Sequence, residues 1–123
     1  MSRRISVLVV DDQIEIVRAL VELIEATPSL TLVGSATDVA DGLALAVERR
    51  PDVALVDYKM PHGGGPKLTA DLAVYSPETK VVALSAHDDR PAKQAMLHAG
   101  ASAFLVKGAD IDDIVAAVEA VVL

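Results

Sequence analysis

Five short apolar runs, each closed by a polar or breaking residue and followed by a stretch of helical spacing, constrain this chain more than any other feature. The runs are Ile5 to Val10, Leu30 to Val33, Val53 to Val56 behind Pro51, Lys80 to Leu84, and Ala103 to Val106. Short β-branched runs bounded by breakers read as buried strands. Between them, apolar residues recur at helical spacing. The first such face is Ile14, Val17, Leu20, Val21 and Ile24, ended by Pro28. The second is Val39, Ala40, Leu43, Ala44 and Val47, with Asp38 as its expected cap and Arg49-Arg50 at its carboxyl end. Gly34 is expected to close the second strand, and Gly63-Gly64-Gly65 to force a loop.

The later helices follow the same logic. Leu68, Leu72 and Tyr75 mark the third, with Pro66 in its first turn. Asp88 or Asp89 caps the fourth, Ala92, Ala95, Met96 and Ala99 form its face, and Gly100 stops it. Ile111, Ile114, Val115, Val118 and Val122 line the fifth, with Asp110 as its expected cap. Strict alternation implies one parallel sheet, helices on both faces and right-handed crossovers. For five βα units the expected fold is α/β, a flavodoxin-like doubly wound sheet of order 2-1-3-4-5.

Composition narrows the function classes. The 123 residues suit one domain, 1–123, and a 2% aromatic share requires an aliphatic core. No apolar stretch is long enough to span a membrane, and the basic start Met1-Ser2-Arg3-Arg4 leads into a strand rather than a signal peptide. Cysteine is absent, which excludes thiolate chemistry and fits a cytoplasmic protein. A net charge of −7 argues against direct nucleic-acid binding. The chain ends on a helical pattern, as expected of a piece of a longer protein.

Chemistry-bearing residues stand at the carboxyl ends of the strands: Asp11 and Asp12, Asp57, Ser85, and Lys107. In a doubly wound sheet that rim is where ligands bind. Three crowded carboxylates repel unless a cation neutralises them. Mg²⁺ suits oxygen ligands and is completed by waters and phosphate oxygens. Lys107 supplies positive charge and Ser85 a hydroxyl donor. Position and charge neutralisation are most of what phosphoryl transfer needs, and a carboxylate serves as acceptor.

At these residues the chain resembles the receiver domains of two-component response regulators, over essentially its whole length. The resemblance rests on the acidic pair after strand one, Asp57 with Met60-Pro61 after strand three, Ser85, Lys107, and Phe104 three residues before that lysine. It implies that Asp57 is the phosphoacceptor. Mg²⁺ would be bound by Asp12, Asp57 and the backbone carbonyl of Lys59, and by Asp11 largely through water. Lys107, Ser85 and the backbone N–H groups of Lys59 and Ala86 would hold the phosphoryl oxygens. Ser85 and Phe104 would form the switch pair. The output face would be helix four, strand five and helix five, through which a homodimer could form. Lys59 and His87 would tune dephosphorylation. The implied partners are a histidine kinase or phosphotransfer protein, or a small phosphodonor.

Two residues depart from the family pattern. Gly108 replaces the usual cis proline, so the Lys107-Gly108 bond is expected to be trans or strained. Lys-Gly here is similar to the NarL/LuxR type, whose receivers precede a DNA-binding output domain. The second departure is the glycine-rich turn Pro61 to Gly65.

Taken singly, each residue has a plainer role. Asp11-Asp12 suits capping of the first helix as well as metal. Phe104 suits the core, and His62, His87 and His98 lack metal-ligand spacing. The acids at 110, 112 and 113 suit the dipole of the last helix. Two other functions stay open. One is a Mg²⁺-dependent small-molecule phosphohydrolase with an Asp nucleophile, although Lys59 stands where a second acid is wanted. The other is a phosphorylation-independent binding module.

Overall fold

The computed structural model describes residues 3–123; Met1 and Ser2, the first half of the basic start, lie outside the described residues. Five strands alternate with five helices: β1 (Ile5–Val10), α1 (Ile14–Glu25), β2 (Leu30–Ala36), α2 (Val39–Arg49), β3 (Val53–Asp57), α3 (Gly64–Tyr75), β4 (Lys80–Ser85), α4 (Arg90–Ala99), β5 (Ala103–Val106) and α5 (Ile111–Val121). The sheet is parallel throughout and ordered β2-β1-β3-β4-β5, the order expected from strict alternation.

Strand side chains alternate between faces, so one sheet feeds two cores. Leu8, Val10, Ala54 and Val56 point to the side of Leu68, Leu72 and Met96. Val7, Val9, Val53 and Leu55 point to the side of Val17, Ile24, Ile114 and Val118. Burial on both faces is why β3 reads as an unbroken apolar run.

Several local expectations are corrected. Gly34 does not close β2. The strand runs on to Ala36, and the pairing skips Val33, with Val7 opposite Leu32 and Leu8 opposite Gly34. This bulge lets a glycine sit inside the strand. On α2 the buried positions are Gly42 and Ala46, whereas Ala40, Ala44 and Val47 are exposed. Helix α2 comes so close to the sheet that a Cβ on Gly42 would lie 2.9 Å from Val10. Small residues therefore set that face, and summed hydrophobicity misreads it. Tyr75 ends α3 but is exposed, as are Ile14 and Ile111 at the starts of their helices.

Gly64 and Gly65 are not loop residues but the first turn of α3. The bend itself falls on His62 and Gly63, whose φ values of 60° and 67° are left-handed. Asp38 caps α2, accepting the Asp41 N–H at 2.8 Å. Asp89, not Asp88, caps α4. Asp110 occupies the cap position of α5 without a side-chain cap bond, so its expected capping is not realised. Gln13 stands at the start of α1, so neither Asp11 nor Asp12 is its cap residue.

Candidate functional site

The strand order carries Asp11, Asp57, Ser85 and Lys107 to one rim, each at or just past the end of its strand. Backbone bonds lock the loops that carry them. The Asp11 N–H donates to the Ala36 carbonyl at 3.1 Å, Tyr58 N–H to Leu84 at 2.8 Å, and Lys107 N–H to Ser85 at 2.6 Å. Asp11, Asp57 and Ser85 are buried, while Asp12 is exposed.

Lys107 closes the constellation. Its Nζ lies 2.8 Å from Asp11 Oδ2 and 3.1 Å from Asp57 Oδ1. The remaining carboxylate bonds come from the backbone: Gln13 N–H donates to Asp11 Oδ1 at 2.9 Å, and Lys59 N–H to Asp57 Oδ1 at 3.3 Å. Ser85 Oγ accepts the His87 N–H at 3.4 Å.

Burial pushes the Asp57 carboxyl above its ordinary value, and the nearby Asp11 charge adds to this, while Lys107 works against both. The Lys107 ammonium is held above the usual lysine value. Its burial opposes this, but the Asp11 and Asp57 carboxylates beside it win.

The donor set fits a hard divalent cation. Oxygens of Asp11, Asp12 and Asp57 lie within 4.8 Å of one another, a span that one small ion can bridge. Asp11 Oδ2 is buried and, although close to the ammonium, has no aligned hydrogen bond, so it keeps a lone pair to give.

Lys59 and His87 line one cleft beside Ser85, together with Tyr58, Ala86 and Asp89. Phe104 lies farther off, half-buried on β5 opposite Ala83 and packed on the core that contains Met96. The Lys107-Gly108 bond is trans, and Gly108 takes a φ of 87°.

Two residues at the site escaped the reading of the sequence. A Cβ on Gly65 would lie 2.5 Å from the Asp57 carbonyl oxygen and 2.4 Å from that of Tyr58, so only glycine lets α3 start against the Asp57 backbone. Its signal was present in the three-glycine run, where it read as loop. Gln13 Oε1 lies 3.4 Å from Lys107 Nζ. Its signal was only its place directly after the acidic pair.

A parallel doubly wound sheet with three acids, a hydroxyl and a lysine on one rim is the architecture of a receiver-type α/β module. The chain belongs to the response regulator receiver domain family, whose model matches residues 7–119. It is 36% identical over 117 residues to the response regulator GacA of Pseudomonas aeruginosa, covering 95% of this chain and 55% of that protein. It is 37% identical over 103 residues to the DNA-binding transcriptional activator DevR/DosR of Mycobacterium tuberculosis, covering 84% of this chain and 48% of that protein. The receiver domain of the putative response regulator NarL from Mycobacterium tuberculosis superposes with a TM-score of 0.92 at 34% identity, covering 98% of both chains. The chain spans about half the length of these curated relatives.

Proposed function

We propose that this receiver accepts a phosphoryl group on Asp57. The observation that carries the reading is Lys107 Nζ seated between Asp11 and Asp57 at 2.8 and 3.1 Å on the rim that also bears Ser85. Asp57 ends the central strand β3, and its Oδ1 accepts the Lys59 N–H at 3.3 Å from the next loop. Asp11, Asp12, Asp57 and the Lys59 carbonyl would hold Mg²⁺. When bound, it would neutralise the charge that gathers on the transferring group. Lys107, Ser85 and the N–H groups of Lys59 and Ala86 would then receive the phosphoryl oxygens. Phosphorylation adds about −1.5 to −2 charge beside Ser85 and Lys107. Ser85 would turn toward that charge, and Phe104 would follow into the core beneath α4.

The phosphodonor is a histidine kinase or phosphotransfer protein, with small phosphodonors as substitutes. The longer curated relatives include a DNA-binding transcriptional activator, which supports an output domain after this receiver in the full protein. A cytoplasmic location and a homodimer through α4, β5 and α5 complete the reading. Among the described residues no helix is long and apolar enough to cross a membrane.

Beryllofluoride, a phosphoryl mimic, tests the site without chemistry. With Mg²⁺ it should shift the amide resonances of Asp57, Lys59, Ala86 and Lys107 and then those of α4 and Phe104. Shifts confined to the opposite end of the sheet would contradict the assignment.

A further inference from the structure

We propose that Gln13 is a positioning residue for phosphoryl transfer: its side-chain carbonyl keeps the Lys107 ammonium at the rim once the carboxylates release it. The inference rests on Asp57 being the phosphoacceptor. Gln13 stands at the start of α1 with an extended backbone, and its side chain makes no cap bond to the helix. The helix uses its backbone instead: the Gln13 carbonyl accepts from the Ile16 and Val17 N–H groups at 3.0 and 3.1 Å, and its own N–H goes to Asp11. The side-chain amide is therefore left over, and its Oε1 points at Lys107 Nζ from 3.4 Å.

A lysine ammonium has three donors. Three oxygens surround this one, Asp11 Oδ2 at 2.8 Å and Asp57 Oδ1 at 3.1 Å as ion pairs and Gln13 Oε1 at 3.4 Å as a hydrogen bond. Two of those oxygens belong to the carboxylates that would bind a divalent cation and attack phosphorus. With those oxygens given to a cation, the ammonium would lose its two carboxylate partners when it is needed on the incoming phosphoryl group. Gln13 then remains as an acceptor at the rim. As a neutral amide, it orients the ammonium without competing strongly for it, whereas a carboxylate would hold it back.

The test uses phosphoramidate as donor with saturating Mg²⁺. It reacts in its N-protonated form: an Asp57 oxygen forms the O–P bond while the P–N bond breaks, and nitrogen leaves as ammonia with the bonding pair. Gln13→Met keeps the side-chain length and removes the acceptor. It should slow adduct formation roughly three- to tenfold, the scale of one ordinary hydrogen bond, since this one is long and exposed. Mg²⁺ affinity and thermal unfolding should stay close to wild type. In a Lys107→Met background the same change should have no further effect, because the residue it acts through is gone. An unchanged rate in Gln13→Met, or an equal slowing in both backgrounds, overturns the role. A wild-type chain that takes no phosphoryl group overturns the phosphoacceptor reading, and this inference with it.

Discussion

At Lys107 one ammonium faces two buried carboxylates, and the balance among the three governs the resting site. The sign for Asp57 follows from its raised folded value. The folded domain binds that proton more tightly than the unfolded chain does, so stability falls as pH rises from the ordinary carboxylate range through the folded value. Once ionised, Asp57 costs the folded domain stability, and Asp57→Asn removes that cost. The Asp57→Asn domain should melt at a higher temperature than wild type at pH 7 in EDTA, and the gain should shrink as acid protonates the wild-type carboxyl. An equal gain at all pH values would remove charge as its cause. Lys107 has the same direction of dependence, in a higher pH range. Its raised value contributes stability that is full below the ordinary lysine range and lost as pH rises through the folded value. Lys107→Met should destabilise the metal-free domain by about 1–3 kcal/mol, because two carboxylates lose their partner. Added Mg²⁺ should restore more stability to this variant than to wild type in chemical denaturation.

Among the elements, α3 has the least tolerant start. Gly65→Ala places a Cβ against two backbone carbonyls that have no side chain to move aside. Overpacking of this kind costs roughly 1–3 kcal/mol, and the loss should come with shifted amides at Asp57 to Lys59. Gly63 has open space around it but a φ of 67°, so Gly63→Asn should cost much less, asparagine being tolerant of that region. Urea unfolding of the two variants separates them; equal losses would mean that close approach is not what selects Gly65. Capping gives a second contrast. Asp38→Ala should cost about 1 kcal/mol, since Asp38 holds the Asp41 N–H. Asp110→Ala should cost little through capping, since Asp110 makes no cap bond.

These elements also show what the sequence could and could not carry. Unbroken apolar runs and helical spacing reported strand and helix identity well, because hydrophobic burial dominates there. β1, β4 and β5 fall where their runs predict, within a residue. The misreadings are positions where close approach outweighs hydrophobicity. Gly42 and Ala46 form the buried positions of α2 because they are small, and Gly64 and Gly65 begin a helix where glycine ordinarily signals a turn. Gly34 continues a strand because a bulge accommodates it. At the rim, Asp11, Asp57, Ser85 and Lys107 were legible because strand ends are legible, and the sheet order then brings them together. Gln13 was not, because its relation to Lys107 spans 94 positions and depends on a side-chain direction.

For the whole molecule, one sheet serves as both scaffold and address. Burial on both faces fixes five strands in register, and the rim inherits that rigidity without contributing to the core. The acidic cluster crowds three carboxylates at the rim, an arrangement that would be preorganised for a cation and a phosphoryl group. The central claim is that Asp57 accepts that phosphoryl group. Intact-mass spectrometry after incubation with phosphoramidate and Mg²⁺ tests it most directly. A single phosphoryl adduct should form on the wild-type chain, depend on Mg²⁺, and be absent from a folded Asp57→Asn chain. An adduct of equal yield on Asp57→Asn, or none on the folded wild type, would contradict the account.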